Sequence, residues 1–213
     1  MNLPSNAEKV YVDEQSLILD GYRLGRQIFD SGFRPDFIAG IWRGGSAVGI
    51  VVQECLQYFG IQSDHIAIRT SYQGMQHYNE MVRDSAGIQV HGLEYLVDRL
   101  ECNHRLLLVD DVFSSGLSIQ AVREKLNRKL RRNMPADTRV CSVWYRPVAD
   151  RPSPDYFVNK TDCWLVLPYE FSGLGLDEIR NNKGWAAPIL ESIRAIQPDR
   201  TDDLDIDSRG LSL

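Results

Sequence analysis

The chain has 213 residues, a formal net charge of −5, 43% hydrophobic and 25% charged residues. That length suits one domain with a small appendage, and the acidic balance argues against a nucleic-acid partner, which calls for a basic surface. Cys55, Cys102, Cys141 and Cys163 are far apart and form no CxxC pair or Cys/His cluster of zinc spacing, so reduced thiols in a cytoplasmic compartment are expected. The N-terminal MNLPSNAEKVYVDEQ lacks the basic segment and apolar core of a signal peptide. The greasiest window, residues 37–56, is interrupted by Arg43 and several glycines, so no membrane span is expected.

In chain order, residues 14–31 predict a helix with Asp13 as its cap and Ile18, Tyr22, Ile28 and Phe29 near one face. Residues 36–42, DFIAGIW, predict a short buried strand, broken by Arg43-Gly44-Gly45. Val48, Val51, Val52, Cys55, Leu56 and Phe59 then recur at helical spacing, with Gly60 placed to stop that helix. Residues 65–69 predict a strand. Residues 70–91 are polar and aperiodic, and a loop that long inside a compact domain is more often functional than idle. A short helix near 92–100 precedes RLLLVDDVFSSGLS, residues 105–118. Ile119, Val122, Leu126 and Leu130 mark a further helix ended by Met134-Pro135. Its basic run, from Arg123 to Arg132, reads as a solvated face. Residues 139–145 and 163–167 predict two more strands. The tail from Pro198 is rich in Asp, has little to pack, and is expected to be mobile or partner-dependent.

Strands alternate with helices, and several strands are apolar runs without alternation. The expected class is α/β, a parallel sheet with helices on both faces. In such sheets the ligand site lies beyond the carboxyl ends of the strands. Three unusual segments fall there: Arg43-Gly44-Gly45, Thr70-Ser71-Tyr72, and Asp110-Asp111 with its serine loop.

Adjacent carboxylates at the mouth of a site suit a pair of hydroxyls, a Mg²⁺ shell, or both. The Ser-Ser-Gly-Leu-Ser that follows lies where a helix begins, and free backbone N–H groups, the helix dipole and serine hydroxyls favour a phosphate there. A diol site and a phosphate site about one sugar apart describe a ribose 5-phosphate. A polar strand end with Ser115 or Ser118 as a helix cap is the simpler alternative. Trp164, in an apolar strand, also reads as core.

The stretch LLLVDDVFSSGLS resembles the phosphoribosyl pyrophosphate (PRPP) motif of the type I phosphoribosyltransferases. IAGIWRGGSAVG resembles the pyrophosphate loop of bacterial xanthine/guanine phosphoribosyltransferases. RTSYQG resembles the start of the mobile catalytic loop, and VWYRPVADRPSPDYFVNKTDCWLVLPYE the base-binding region. Together these cover roughly residues 35–170, in family order.

The resemblance implies a core at about 35–170 within a single domain of residues 1–197. It implies a small hood built from the N-terminal helix and residues near 150–190, and leaves an acidic tail at 198–213. Asp110 and Asp111 would hold the ribose hydroxyls, directly or through Mg²⁺. Ser114, Ser115, Gly116, Leu117 and Ser118 would wrap the 5-phosphate. Arg43 and Gly44 would meet pyrophosphate, with a strained or cis peptide before or at Arg43. Ser71 and Tyr72 would close over the reacting centre. Arg146 would face the 6-oxo group, Trp164 would stack on the base, and the backbone of Leu165 would read its edge. Glu170 would sit near a second metal.

Two positions depart from the pattern. Ser114 stands where 6-oxopurine enzymes usually have aspartate, and a serine is no comparable base near neutral pH. Arg146 replaces the usual lysine; it still donates to an oxygen and argues against adenine's amino group. The implied activity is Mg²⁺-dependent transfer of phosphoribose from PRPP to hypoxanthine, guanine or xanthine. Other nucleobases, or a PRPP-binding regulator without catalysis, are the alternatives. A homo-oligomer, dimer or tetramer, is implied as well, with no nucleic-acid or membrane partner.

Overall fold

A computed structural model describes residues 9–72 and 87–196. The middle of the expected catalytic loop, with His77, and the acidic tail lie outside the described residues. Six strands form the main sheet: β2 (Phe37–Trp42), β3 (Asp64–Tyr72), β4 (Ile88–His91), β5 (Arg105–Phe113), β6 (Asp137–Tyr145) and β7 (Tyr156–Lys160). Their order is β4-β3-β2-β5-β6-β7. All neighbours are parallel except the antiparallel β3–β4 pair at one edge.

The run Leu106-Leu107-Leu108-Val109 shows why no alternation marks β5. Leu106 and Leu108 belong to one apolar cluster with Leu117, Val122 and Leu126 of α4 (Leu117–Leu130) and with Leu96 of α3 (Glu94–Arg99). Leu107 and Val109 belong to a second cluster with Leu24 and Ile28 of α1 (Glu14–Asp30) and Val48, Val52 and Leu56 of α2 (Gly44–Tyr58). Both faces of the strand are covered, so every residue of the run is apolar.

Asp13 caps α1 as expected, accepting the Ser16 N–H at 2.8 Å. The expected buried face is corrected: Ile18 and Tyr22 are 47% and 46% exposed, while Leu17, Asp20, Gly21, Leu24, Gly25 and Ile28 are buried. Two glycines decide this. A Cβ on Gly21 would lie 2.8 Å from Val51 Cγ1, and one on Gly25 would lie 2.7 Å from Cys55 Cβ, so α1 and α2 meet backbone to side chain. Gly60 follows α2 with φ of 83°, as its stop position requires.

The remaining differences are local. β3 runs through Tyr72, and residues 88–91, read as loop, form the edge strand β4. β7 belongs to the main sheet, and α1 packs on α2, β6 and β7. A separate two-stranded sheet pairs β1 (Lys9–Tyr11) in parallel with β8 (Trp164–Val166), and α5 (Leu176–Asn182) and α6 (Ala187–Ile196) follow it in the chain. The basic run of α4 is only partly a solvated face: Lys125 donates to the Val90 carbonyl at 2.6 Å and Arg123 to that of Thr138. All four cysteines are free thiols. No described helix is long and apolar enough to cross a membrane.

Candidate active site

After β2 the chain turns to β3 on one side, and β5 enters on the other, so the crevice between their carboxyl ends is a topological switch point. The Trp42–Arg43 peptide bond there is cis. Arg43 is exposed, and α2 starts at Gly44 with no side-chain cap. Its first N–H groups therefore have no partner from the cap residue's side chain. The helix start lies hard against β5. A Cβ on Gly45 would be 2.3 Å from the Val109 carbonyl oxygen, and one on Gly44 would be 1.7 Å from Asp111 Oδ2.

Strand alternation sends Asp110 toward the α4 face and Asp111 toward α2. The Asp111 carboxylate accepts the Val112 N–H at 2.9 Å on Oδ1 and the Tyr169 hydroxyl at 2.6 Å on Oδ2. Asp110 Oδ1 accepts the Asp111 N–H at 3.1 Å. Burial, and then the charge of Asp111, push the Asp110 carboxyl well above the ordinary range. After Phe113 come Ser114, Ser115 and Gly116, and Gly116 takes the left-handed conformation at φ 72° before α4 begins without a side-chain cap. The acids are thus separated from an open helix start by only five residues, Val112 to Gly116.

Across the crevice, Arg146 follows β6, its N–H donating to the Phe113 carbonyl at 2.8 Å. Its guanidinium lies 5.3 Å from the centre of the Trp164 ring, and its buried Nε has no hydrogen-bond partner among the described residues. Val166 accepts the Val12 N–H at 3.0 Å. Alternation along β8 therefore turns the Leu165 backbone polar groups toward the opposite edge, away from β1. Glu170 closes a turn: its N–H donates to the Leu167 carbonyl, and its Oε2 accepts the Leu167 N–H, each at 3.0 Å. Burial pushes the Glu170 carboxyl up, as does the Asp111 charge, while the Leu167 N–H, Lys183 and Arg43 oppose the rise.

The chain resembles three solved structures along most of its length. A purine phosphoribosyltransferase from Pyrococcus horikoshii Ot3 superposes with TM-score 0.58 at 20% identity, covering 78% of this chain and 98% of that one. A Helicobacter pylori xanthine-guanine-hypoxanthine phosphoribosyltransferase gives 0.57 at 14%, covering 83% and 99%. A hypothetical protein from Neisseria gonorrhoeae with bound ppGpp gives 0.63 at 16%, covering 85% and 98%. The fold is that of the phosphoribosyltransferases. No family model and no curated relative matches the sequence.

Within this phosphoribosyltransferase fold, Asp110, Asp111, Gly44 and the Ser114–Ser118 loop stand on neighbouring elements, with Arg146, Trp164, Leu165 and Glu170 on the segments that follow β6. Ser71 and Tyr72 stand in the β3–β4 ladder, paired with Gln89 and Ile88, and Ser71 Oγ lies 3.3 Å from His91 Nε2. A cavity of about 460 Å³ between β4 and α4, lined by His91, Lys125 and Arg128 among others, lies along the body of the helix rather than at its open start.

Three residues of the site escaped sequence reasoning. Ser142, fully buried in β6, accepts the Phe113 N–H at 3.0 Å, and its hydroxyl reaches the Asp111 carbonyl at 3.0 Å and that of Trp144 at 2.6 Å. It ties the acid-bearing end of β5 to β6. Tyr169 bonds Asp111; burial, and then the Asp111 charge, push its phenol far upward, so it stays protonated. Lys183, only 3% exposed, donates to the carbonyls of Leu167 and Pro168 and faces the Phe171 ring at 4.7 Å. It anchors the turn that carries Tyr169 and Glu170. A buried lysine after a helix has no local sequence signature. Tyr169 sits inside the LPYE segment, where only the acid carries an obvious chemical cue.

Among the described residues no three His, Cys, Asp or Glu side chains form a protein-only metal cage. Mg²⁺ ordinarily takes one or two carboxylates together with substrate phosphates and water. Asp110, Asp111 and Glu170 supply hard oxygen donors of the kind that chemistry uses; burial, more than the Asp111 charge, raises the carboxyls of Asp110 and Glu170.

Proposed function

We propose that the chain transfers 5-phosphoribose from PRPP to a 6-oxopurine (hypoxanthine, guanine or xanthine), releasing pyrophosphate, as a purine-salvage enzyme. The observation that carries this is the acid pair of β5 set against the uncapped start of α2 and followed, after Val112 and Phe113, by the loop into α4. Ser114, Ser115, Gly116, Leu117 and Ser118 bind the 5-phosphate, largely through backbone N–H groups. Asp110 and Asp111 hold the ribose hydroxyls. Arg43 and Gly44 bind the pyrophosphate, and a guanidinium suits phosphate oxygens. Asp110, Asp111 and Glu170 would hold Mg²⁺ together with the substrate, and the ion would supply charge neutralisation for the leaving pyrophosphate. Ser71 and Tyr72 lead into the segment that shields the cation-like ribose from water.

The base lies between Trp164 and Arg146, with the Leu165 backbone at its edge. The unsatisfied Arg146 Nε, a donor with no acceptor of its own, supports a carbonyl-bearing ring. N9 of the base bonds to C1 of the ribose as the bond from C1 to the pyrophosphate oxygen breaks. Ser114 supplies no carboxylate for the departing base proton, and this favours a second reading: an acceptor outside the usual purines, or a PRPP-binding regulator. Exposed Ile18, Leu19 and Tyr22 on α1 accord with a homo-oligomer.

The test is pyrophosphate release from Mg²⁺-PRPP with hypoxanthine, guanine, xanthine, adenine, uracil and orotate. Release with an oxopurine supports the proposal. PRPP binding with no release from any base supports the regulator.

A further inference from the structure

The Tyr169 hydroxyl occupies the place where the proposed substrate has to bind. It donates to Asp111 Oδ2 at 2.6 Å. A Cβ on Gly44 would fall 2.0 Å from the Tyr169 oxygen and 1.7 Å from Asp111 Oδ2. Phenol, carboxylate and the first residue of α2 are therefore in mutual contact, and the space between them is smaller than one methyl group. The other Asp111 oxygen accepts the Val112 N–H at 2.9 Å. A ribose hydroxyl approaching Asp111 from the α2 side meets a carboxylate whose nearest oxygen is already bonded to an O–H of the same chemical kind.

We propose that Tyr169 is a stand-in for a ribose hydroxyl: it satisfies Asp111 in the empty site and has to swing away for PRPP to bind. This rests on the phosphoribosyl-transfer reading above. The backbone does not have to move. The Leu167–Glu170 turn is closed by its own hydrogen bonds and anchored by Lys183, so the exchange is a rotation of one side chain. The bond raises the apparent dissociation constant of PRPP in inverse proportion to the fraction of molecules in which the phenol has left Asp111. Tyr169 thus sets affinity for the sugar while touching neither the base nor the 5-phosphate loop.

The experiment is calorimetric titration of the full chain with Mg²⁺-PRPP and, separately, with inorganic phosphate. Tyr169→Phe keeps the ring and removes the hydroxyl; Tyr169→Leu is the second variant, and circular dichroism checks that each is folded. The expected result is PRPP binding about ten- to a hundredfold tighter in both variants, the span a hydrogen bond to a charged group covers once solvent competition is counted, with phosphate binding unchanged. PRPP binding equal to or weaker than wild type overturns the proposal, because Tyr169 then supports the ligand or is indifferent to it. An equal gain for phosphate also overturns it, since the obstruction would not be at Asp111. If wild-type protein takes up phosphate but not PRPP, the functional reading itself fails and the proposal falls with it.

Discussion

Where β5 meets α2, the site is packed main chain against main chain; from Arg146 to Glu170 it hangs on side chains. In the first region Gly45 leaves no room for a methyl group beside the Val109 carbonyl, and Leu106 to Val109 are fully buried on both faces of the sheet. In the second, a three-residue strand pair is fastened to its surroundings by Lys183 under the turn and by Glu178, which accepts from Lys9 and from the Tyr11 hydroxyl, the latter at 2.8 Å. The contrast teaches where each half tolerates change. A close-packed backbone has one arrangement and fails by overpacking. A side-chain scaffold fails by losing one donor.

The largest effect is expected from Gly45→Ala. Its Cβ would strike a backbone oxygen of the central strand, and overpacking of that kind costs about 3 kcal/mol. Chemical denaturation measures it; a loss under about 0.5 kcal/mol would show that the two backbones separate easily and that the contrast is overstated. Asp111→Asn comes next: it removes the charge that the proposed diol needs, and PRPP affinity should fall at least about tenfold, read by calorimetry, with the fold intact. Unchanged affinity would remove Asp111 from the ribose role.

Lys183→Met tests the other half. It removes the Lys183 donor from the Pro168 carbonyl and leaves the Leu167 carbonyl with the Glu170 N–H, at about 1–3 kcal/mol. Because the turn that Lys183 anchors carries Tyr169 and Glu170, PRPP affinity should change with it, read by calorimetry; unchanged PRPP affinity would mean that Lys183 stabilises the fold without positioning that turn. The smallest effect concerns Glu178. Its bonds to Lys9, to the Gly175 N–H and to Tyr11 lower its pKa from an ordinary 4.5 to about 2. Its stabilising contribution is therefore complete above about pH 4.5 and is lost as the pH falls toward 2. Because Glu178 is partly exposed, that contribution is small. Glu178→Gln should lower the melting temperature slightly at pH 7 and leave it equal to wild type near pH 2. A constant difference at both pH values would assign the effect to packing rather than charge.

Legibility followed the same division. β2, α2 with its Gly60 stop, β5 and α4 were readable because buried apolar runs and helical spacing are local signals, and the acids and serines stand next to them in the chain. α1 was readable as a helix but its face was not. Hydrophobic residues voted for Ile18 and Tyr22, whereas Gly21 and Gly25 turn inward, since what they supply is the absence of a side chain. β4 and β7 are short edge strands with polar residues, and pairing at an edge leaves little mark on composition.

What the sequence by itself determined was the layered α/β core and the order of the loops at the carboxyl ends of its strands, because burial on both faces of a strand and the start of a helix are written in consecutive residues. Only the tertiary structure decided that Tyr169 meets Asp111, 58 positions away, that Lys183 supports the Leu167–Pro168 turn, and that β1 pairs with β8. Those contacts depend on which distant segments the packed sheet brings together, and a hydrogen bond between remote side chains leaves no periodicity in either.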